Sequence, residues 1–307
     1  GLLFFLAFFA WFLTRSIQRD DPARMGKTLL WFITAITFST AFIGIGMMSS
    51  IPGTAMMLLG LLFVGLAIAD GRYELIFYTL IAGIGVTLQV AIISFFLSCS
   101  VGLLLALASL SKHQWLRQSA RFYIELIRGI PALVILLYIT FAATPALVEL
   151  YQTIFASFIE QGFLPDIQIR DVSNLVRAVI ALAVAYSAFL AEVFRAGLQS
   201  IEKSQVEAAQ ALGLSRWLTF RLVIWPQAFK RVLPVLGNDF IAMVKDSSLV
   251  SVLGVNDITQ LGKLYASASF LTVETYNVVA VLYLILTIGL SLVLRRLERH
   301  LQTKDKS

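Results

Sequence analysis

Long apolar stretches separated by short polar segments run along the whole of this 307-residue chain. Most of them approach or exceed the roughly 18 to 20 residues that an α-helix needs to cross the hydrocarbon core of a membrane. They lack the strict alternation of a barrel strand, so each predicts a helix. The stretches cover residues 2–13, 29–48, 55–69, 83–107, 131–146, 176–193, 233–255 and 278–294. The pattern therefore predicts an all-α protein that crosses the membrane several times.

One stretch, residues 76–110, is longer than a single upright helix requires. We interpret residues 73–82 as a helix lying at the membrane interface, and we expect the span itself to begin near Gly83. Residues 73–301 then form a core of five spans. Residues 1–72 supply two or three extra N-terminal spans, and residues 302–307 form a short tail.

The composition agrees with a membrane protein. Hydrophobic residues make up 59% of the chain and charged residues only 14%, whereas soluble domains carry about 25% charged residues. Cys99 is the only cysteine, so the chain can form no internal disulfide. Gly1 is not an initiator methionine, and residues 2–13 lack the basic lead-in of a signal peptide. We expect the natural chain to begin upstream.

Lys and Arg are concentrated in alternate polar segments of the predicted core. Residues 112–121, residues 195–231 and the tail after residue 294 are basic, whereas residues 147–174 hold four acidic side chains against Arg170. Cytoplasmic loops are enriched in Lys and Arg. We therefore expect the three basic segments, including the C-terminus, to be cytoplasmic and the acidic loop to face outward.

The N-terminal third allows two topologies. In one, residues 29–48 and 55–69 form a hairpin that turns inside at residues 49–53, where Pro52-Gly53 is a natural tight turn. In the other, residues 15–27 stay inside and residues 55–69 form a re-entrant or interfacial piece, because about 15 residues is short for a span. We favour the hairpin, which places the mixed-charge residues 15–27 outside.

A polar segment, residues 195–231, interrupts the apolar pattern and contains two predicted short helices. Ser204 is the predicted cap of the first helix, and Gly213 ends it by permitting a left-handed residue. The second runs over residues 216–224 to Pro226. This pair, residues 204–226, is called the elbow below. The surface of the elbow is expected to be smooth and to carry one charge, at Glu207, which would suit contact with a soluble partner. The alternative is that the elbow is an amphipathic connector lying on the lipid headgroups.

The elbow resembles the EAA loop of importer-type ABC permeases. Three further motifs, in order, are similar to those of the polar amino acid permeases: residues 123–131 (YIELIRGIP), 191–197 (AEVFRAG) and 244–249 (VKDSSL). The resemblance covers about residues 83–301, and the extra N-terminal spans are similar to the general L-amino-acid permease branch. Ser204 stands where the family often has Gly, and Ile130 where it often has Thr. Within the polar segment 195–231, the residues that carry this resemblance are Glu207, Ala208, Ala209, Gly213, Pro226 and Gln227.

The resemblance implies a five-helix type I ABC importer permease core in a bacterial inner membrane. It further implies a second permease subunit, two cytoplasmic ATPases coupled through the elbow, an extracytoplasmic binding protein and an amino acid cargo, with no nucleic acid involved. This chain has no phosphate-binding loop, since Asp21 stands where the first Gly before Gly26-Lys27-Thr28 should be. We therefore expect ATP and magnesium in the ATPase, and no cofactor or enzymatic activity in this chain. Whether the second permease is identical or diverged stays open.

Ionisable side chains at membrane depth are costly and mark functional sites by default. Lys245 and Asp246 lie about 18 Å into their predicted span, and with Ser247 and Ser248 they offer complements to both charges of an amino acid; the alternative is a polar network that caps or joins helices. Glu192 is a candidate cavity or gate residue, or half of an ion pair with Arg195 on the same helix face. Asp239 is a weaker candidate. The predicted substrate-binding set is Lys245, Asp246, Ser247, Ser248, Glu192 and Asp239.

Other functions fit the chain less well. His113 and His300 are the only histidines and lie in polar segments, so no intramembrane Ser-His dyad or zinc site can form. An ion-coupled secondary amino acid carrier is the serious rival, because it would also use Lys245 and Asp246. Such carriers commonly show inverted repeats, and none is visible here. A channel would need a filter segment, which is also missing.

Overall fold

The computed structural model describes the backbone of residues 71–304 and the side chains of residues 73–296. This part of the chain is built of helices and short connections, without a strand. Predictions for residues 1–70 lie outside it. The eleven α-helices are α1 Gly71–Ser109, α2 Gln114–Gly129, α3 Ala132–Tyr138, α4 Thr144–Ile154, α5 Ala156–Glu160, α6 Asn174–Gln199, α7 Lys203–Ala211, α8 Arg216–Thr219, α9 Trp225–Asp246, α10 Ile258–Ser269 and α11 Thr272–Lys304.

The first helix is continuous. The prediction of a separate interfacial helix before Gly83 is wrong in this respect, since α1 runs for 39 residues without a break. Neither Pro nor a polar cluster interrupts the apolar residues around position 83, so nothing in the sequence stops the backbone hydrogen bonding there. The side chains of Leu80 and Val90, on either side of that position, are both fully buried.

Two π-helical turns widen the helical path, and each lies just before a proline. Residues Ile139–Ala143 join α3 to α4, whose second residue is Pro145. Residues Phe220–Ile224 join α8 to α9, whose second residue is Pro226. The ring of a proline clashes with the carbonyl four residues earlier, which in both cases belongs to the π-helical turn. A π-helical turn accommodates the proline while the helix continues.

The core is organised around α6. Thirteen of its 26 residues are buried, and six of these are alanines: Ala178, Ala181, Ala183, Ala185, Ala188 and Ala191. Helices α2, α3 and α9 pack against it. Two serines of α1 also reach it, because Ser94 Oγ donates to the Val179 carbonyl at 3.2 Å and Ser98 Oγ to the Ala183 carbonyl at 3.1 Å. Small side chains on α6 thus let four other helices approach closely.

Glycines in α1 mark its closest approaches. A Cβ on Gly83 would lie 2.6 Å from the Ile258 backbone nitrogen, and one on Gly102 would lie 3.0 Å from the Ala191 nitrogen. Gly85, two residues from Gly83, has nothing within 4 Å of such an atom. Close packing therefore explains Gly83 and Gly102, and not Gly85.

The predicted core spans correspond to helices, and the sequence reasoning missed three others. Among the described residues, four segments are long and apolar enough to cross a membrane: Tyr73–Ser109, Ala132–Ile154, Asn174–Gln199 and Thr272–Arg296. The remaining predicted span, residues 233–255, comprises the end of α9 and a 3-10 segment, Ser247–Leu253. Helices α2, α5 and α10 were not predicted, because all three lie largely outside the long apolar stretches. The predicted domain boundaries and the sidedness stay predictions.

Candidate functional site

A partly open cavity of about 510 Å³ lies where α2, α3, α6 and α9 meet. Its wall is mostly apolar, with a few charged and polar groups, which is the usual character of a small-molecule site. The lining residues are Arg128, Gly129, Ile130, Pro131, Ala132, Ile135, Ala185, Tyr186, Phe189, Asp239, Ala242 and Asp246.

Asp246 is fixed at this cavity by a neighbouring helix. It is the last residue of α9, and its Oδ2 atom accepts a hydrogen bond of 2.6 Å from the Tyr186 hydroxyl on α6. This is a short bond, as is typical when the acceptor is ionised. The carboxylate side chain is exposed overall, so Asp246 keeps acceptor capacity for a ligand.

Arg128 supplies a positive charge. It lies in the last turn of α2, and its guanidinium carbon is 5.7 Å from the centre of the Phe189 ring on α6. A cation over an aromatic face at this distance is attracted by the ring. The guanidinium makes no ion pair with any residue whose side chain the structure describes, and its five N–H donors remain available.

Asp239 provides the second carboxylate. It precedes Asp246 by seven residues on α9, so the two lie on the same face about two turns apart. Its Oδ2 atom is buried and has no hydrogen-bond partner among the described residues. An unpaired buried carboxylate oxygen is costly, and a ligand that donates to it would remove that cost.

The cavity therefore combines one guanidinium with two carboxylates in a mostly apolar setting. A zwitterion, which carries an ammonium and a carboxylate, finds a complement to each charge here. The described residues contain no group of His, Cys, Asp and Glu side chains that could hold a metal ion.

Of the six predicted substrate residues, Asp246 and Asp239 line the cavity and four do not. Lys245 is exposed and does not line the cavity. Ser247 is fully buried and donates to the Val244 carbonyl at 2.7 Å, while Ser248 is half-buried. Glu192 pairs with Arg195 at 2.5 Å, as the alternative interpretation of its spacing predicted.

Arg128 and Tyr186 are cavity residues that the sequence reasoning did not select. Arg128 lies within the motif of residues 123–131, and the sequence alone does not single it out from the other residues of that motif. Tyr186 lies in an apolar stretch, where a phenol hydroxyl needs a hydrogen-bond partner. This requirement for a partner could have marked Tyr186 as a candidate in the sequence, although it does not identify Asp246 as the partner.

The first helix of the elbow ends as predicted. Gly213 has φ +78°, the Gly213 nitrogen donates to the Gln210 carbonyl at 2.9 Å, and the Leu214 nitrogen to the Ala209 carbonyl at 3.1 Å. These two bonds form a Schellman motif. The predicted cap is wrong, because α7 begins at Lys203, and Ser204 Oγ donates to the Glu202 carboxylate at 3.2 Å instead of capping the helix.

The second half of the elbow differs from the prediction. The helix does not end before Pro226, since α8, the π-helical turn and α9 follow one another without a break from Arg216 to Asp246. A π-helical turn takes up the proline, as described above. Trp217, Phe220, Trp225 and Phe229 form a row of aromatic rings along this path, with neighbouring centroids 5.9, 6.2 and 5.6 Å apart.

The elbow exposes much of its surface. Glu207, Ala208 and Gly213 are exposed, as are the large apolar side chains of Leu212, at 83%, and Trp217, at 66%. Ala209 is buried, and Gln227 is half-buried within α9. Exposed apolar residues beside a charge are typical of a protein contact surface.

The helical core, its cavity with three charged side chains and its exposed elbow are those of a multi-pass membrane transport component. Residues 98–304 match the family described as the binding-protein-dependent transport system inner membrane component, and the chain belongs to this family.

Curated relatives show more narrowly which class of transport protein this chain resembles. The chain is 34% identical to the probable amino-acid permease protein YxeN of Bacillus subtilis over 73% of its own length and 91% of that protein. It is 36% identical to the glutamine transport system permease protein GlnP of Escherichia coli, over 73% of its length and 93% of that protein. The predicted resemblance to ABC importer permeases is confirmed, and the ion-coupled carrier is not supported.

Solved structures agree on the fold. A crystal structure of an amino acid ABC transporter with histidines matches with a TM-score of 0.60 and 34% identity, covering 75% of this chain and 95% of that one. The inward-facing MetNI methionine ABC transporter shares the fold, with a TM-score of 0.56 at 20% identity over 73% of this chain and 96% of that one. The predicted type I importer permease fold is confirmed.

Proposed function

We propose that this permease carries an amino acid through the cavity at the junction of α2, α3, α6 and α9. Arg128 binds the α-carboxylate of the cargo, and Asp246, held by Tyr186, binds the α-ammonium. The observation that carries this proposal is the convergence of a guanidinium and a hydrogen-bonded carboxylate on one cavity of about 510 Å³. Pockets of roughly 300 to 1,000 Å³ suit small ligands.

Replacing Arg128 tests the carboxylate contact. In the assembled transporter, Arg128→Gln should weaken equilibrium binding of radiolabelled amino acids about 10- to 100-fold, the usual range for losing a charge-assisted hydrogen bond. Arg121→Gln is the matched control, because Arg121 is exposed on the same helix and does not line the cavity. Equal effects of the two variants would refute the role of Arg128.

The same proposal includes the rest of the transporter. A second permease subunit faces this one, two cytoplasmic ABC ATPases contact the elbow, and an extracytoplasmic binding protein delivers the cargo. ATP and magnesium belong to the ATPases. The protein lies in the bacterial plasma membrane with its C-terminus in the cytoplasm. Membership of the family and the exposed side chains of Leu212 and Trp217 support these assignments.

Charge reversal on the elbow tests the ATPase contact. Glu207→Lys should abolish transport-coupled ATP hydrolysis in proteoliposomes while leaving membrane insertion intact, because an exposed carboxylate that pairs with a partner's basic group becomes repulsive. Glu202→Lys reverses another exposed charge just before α7 and should have a much smaller effect. Normal coupling in Glu207→Lys would remove this contact from the mechanism.

A further inference from the structure

A second cavity lies beside α9, on a different face of that helix from the cavity described above. It has a volume of about 520 Å³ and is lined by residues of α1, α6, α9 and α11; it is called the apolar cavity below. We propose that the apolar cavity binds an acyl chain of an anionic phospholipid, whose phosphate group is held by Arg295 and Arg296. The ligand is a lipid and not the cargo, so this inference does not depend on the proposed cargo site.

The wall of the apolar cavity offers a ligand little besides hydrocarbon. None of the described residues that line it is charged, and the one hydroxyl among them, on Ser100, already donates to the Phe96 carbonyl at 2.9 Å. The large side chains of Phe96 and Phe229 are exposed along this wall. A polar solute finds no hydrogen bond in such a site, whereas an alkyl chain packs against it through many dispersion contacts.

The apolar cavity has the position and the length that suit a lipid chain. Helices α1, α6 and α11 are among the described segments that are long and apolar enough to cross a membrane. Along α9 the lining runs from Trp225 to Phe240, which is about 22 Å at 1.5 Å per residue. One leaflet contributes about 15 Å to a hydrocarbon core of about 30 Å. An acyl chain can therefore lie along α9 within one leaflet.

One end of the apolar cavity lies beside the basic part of α11. A Cβ atom on Gly237 would lie 2.2 Å from Leu294 Cδ1, which marks a close contact of α9 with α11. Further along the chain, Asp257 Oδ2 accepts a hydrogen bond of 3.0 Å from the hydroxyl of Tyr283, an earlier residue of α11. The two paths thus run in opposite directions. The Trp225 end of the cavity therefore lies beside the residues that follow Leu294.

The residues at that end carry positive charge. Arg295 and Arg296 directly follow Leu294, and Arg221 lies about one turn before Trp225. All three arginines are exposed. In the predicted topology this end is cytoplasmic, where basic side chains attract anionic lipids. A guanidinium matches the geometry of a phosphate group. The charge at one end and the apolar wall beyond it are therefore complementary to the headgroup and the chain of one anionic phospholipid.

A lipid titration tests the inference on the unmodified protein. The purified, delipidated transporter is titrated with phosphatidylglycerol or with phosphatidylcholine of identical acyl chains, and the bound lipids are counted by native mass spectrometry. We expect phosphatidylglycerol to bind about 10- to 30-fold more tightly, because two arginines attract its net negative charge. Equal affinities would overturn the inference. Competition by inorganic phosphate would also overturn it, since phosphate has no chain to occupy the cavity.

Removing the two charges tests the headgroup contact. The double variant Arg295→Gln/Arg296→Gln should lower the affinity for phosphatidylglycerol to near that for phosphatidylcholine. Lys112→Gln/Arg121→Gln is the matched control, because it removes the same charge from exposed positions that do not line the apolar cavity. Unchanged affinity in the arginine variant, or an equal loss in the control, would overturn the inference.

Filling the apolar cavity tests the chain contact. Leu103 lines it, whereas the neighbouring Leu104 is 67% exposed and does not. Leu103→Trp should abolish tight binding of phosphatidylglycerol, and Leu104→Trp should leave it unchanged. Ser100→Phe narrows the same cavity from an exposed position, so it provides the test if Leu103→Trp lowers the thermal midpoint. Equal binding in the lining variants and in Leu104→Trp would overturn the inference.

The assembled transporter decides between a lipid and a protein occupant. Another subunit that covered the apolar cavity would allow tight lipid binding to the isolated permease and exclude it from the complex. That result would overturn the inference. Tight binding of phosphatidylglycerol in the complex that depends on both the arginines and the open cavity supports it.

Discussion

Helices α6 and α9 pack against each other, yet they have opposite characters. Helix α6 buries 13 of 26 residues and presents small side chains to its neighbours. Helix α9 buries only five of its 22 residues, at positions 228, 232, 236, 243 and 244. It carries five charged residues: Lys230, Arg231, Asp239, Lys245 and Asp246.

The two helices thus have different roles: α6 provides close packing, and α9 carries charged side chains. Helix α6 is apolar enough to be recognised as a membrane span, whereas α9 is not. The two carboxylates of the cavity nevertheless lie on α9, and α6 supports one of them through Tyr186. Of these two packed helices, the more polar one thus carries both carboxylates of the cavity.

Overpacking α6 should have the largest effect. Ala188 is fully buried beside Ile124 and Ala191, so Ala188→Leu should cost about 1–3 kcal/mol or more. The thermal midpoint of the detergent-solubilised protein should fall by about 2–4 °C for each kcal/mol. Ala196→Leu, an exposed position of the same helix, should change it little. Equal effects would mean that α6 is not tightly packed.

On α9 the expected loss concerns binding and not folding. Asp246→Ala should weaken amino acid binding about 10- to 100-fold, with a smaller fall in the thermal midpoint than that of Ala188→Leu. Lys245→Ala removes the adjacent exposed charge and should weaken binding less than about threefold, well under 1.4 kcal/mol. A larger loss in Lys245→Ala would support the sequence prediction that this lysine contacts the cargo.

A smaller effect is expected where α1 is joined to α6. Ser98→Ala removes the bond to the Ala183 carbonyl, and such interhelical bonds contribute about 0.6 kcal/mol on average in a membrane. Ser100→Ala is the control, because Ser100 is exposed and donates only within α1, to the Phe96 carbonyl. Indistinguishable thermal midpoints would show that packing alone holds the two helices together.

Glu192→Gln should have the smallest effect. The Glu192–Arg195 pair lies within one helix and its side chains are 30% and 32% exposed, so its loss should cost about 0.2–0.5 kcal/mol. Uptake by the reconstituted transporter should stay close to that of the wild type. A strong loss of uptake without a loss of stability would show that α6 contributes chemistry of its own, as a gate residue would.

The apolar pattern predicted the membrane helices well, because burial in lipid requires length and hydrophobicity that can be counted. It failed at α2 and α10, which are polar enough to pass for loops. The sequence pattern also predicted a helix end at Pro226, which is wrong because a π-helical turn lets the helix continue. In both cases the deciding interactions are made with other helices or by local backbone adjustment.

The cavity was predicted in part. Asp239 and Asp246 could be predicted because an ionisable side chain at membrane depth is costly and therefore marks a functional site. Arg128 lies more than 100 residues away in sequence, and its place beside them follows from how α2 and α9 both pack on α6. The spacing of residues within one sequence does not show which distant side chains come together in the folded protein.

The unbroken helix from Arg216 to Asp246 has a mechanical consequence. Its 31 residues form a lever about 45 Å long at 1.5 Å per residue, with the exposed Trp217 at one end and a cavity carboxylate at the other. A tilt of about 5° around its middle displaces each end by roughly 2 Å, which is enough to break a hydrogen bond. In the proposed mechanism, a force applied at the elbow is therefore transmitted to Asp246 along this helix, in which Pro234 is the position where bending is expected.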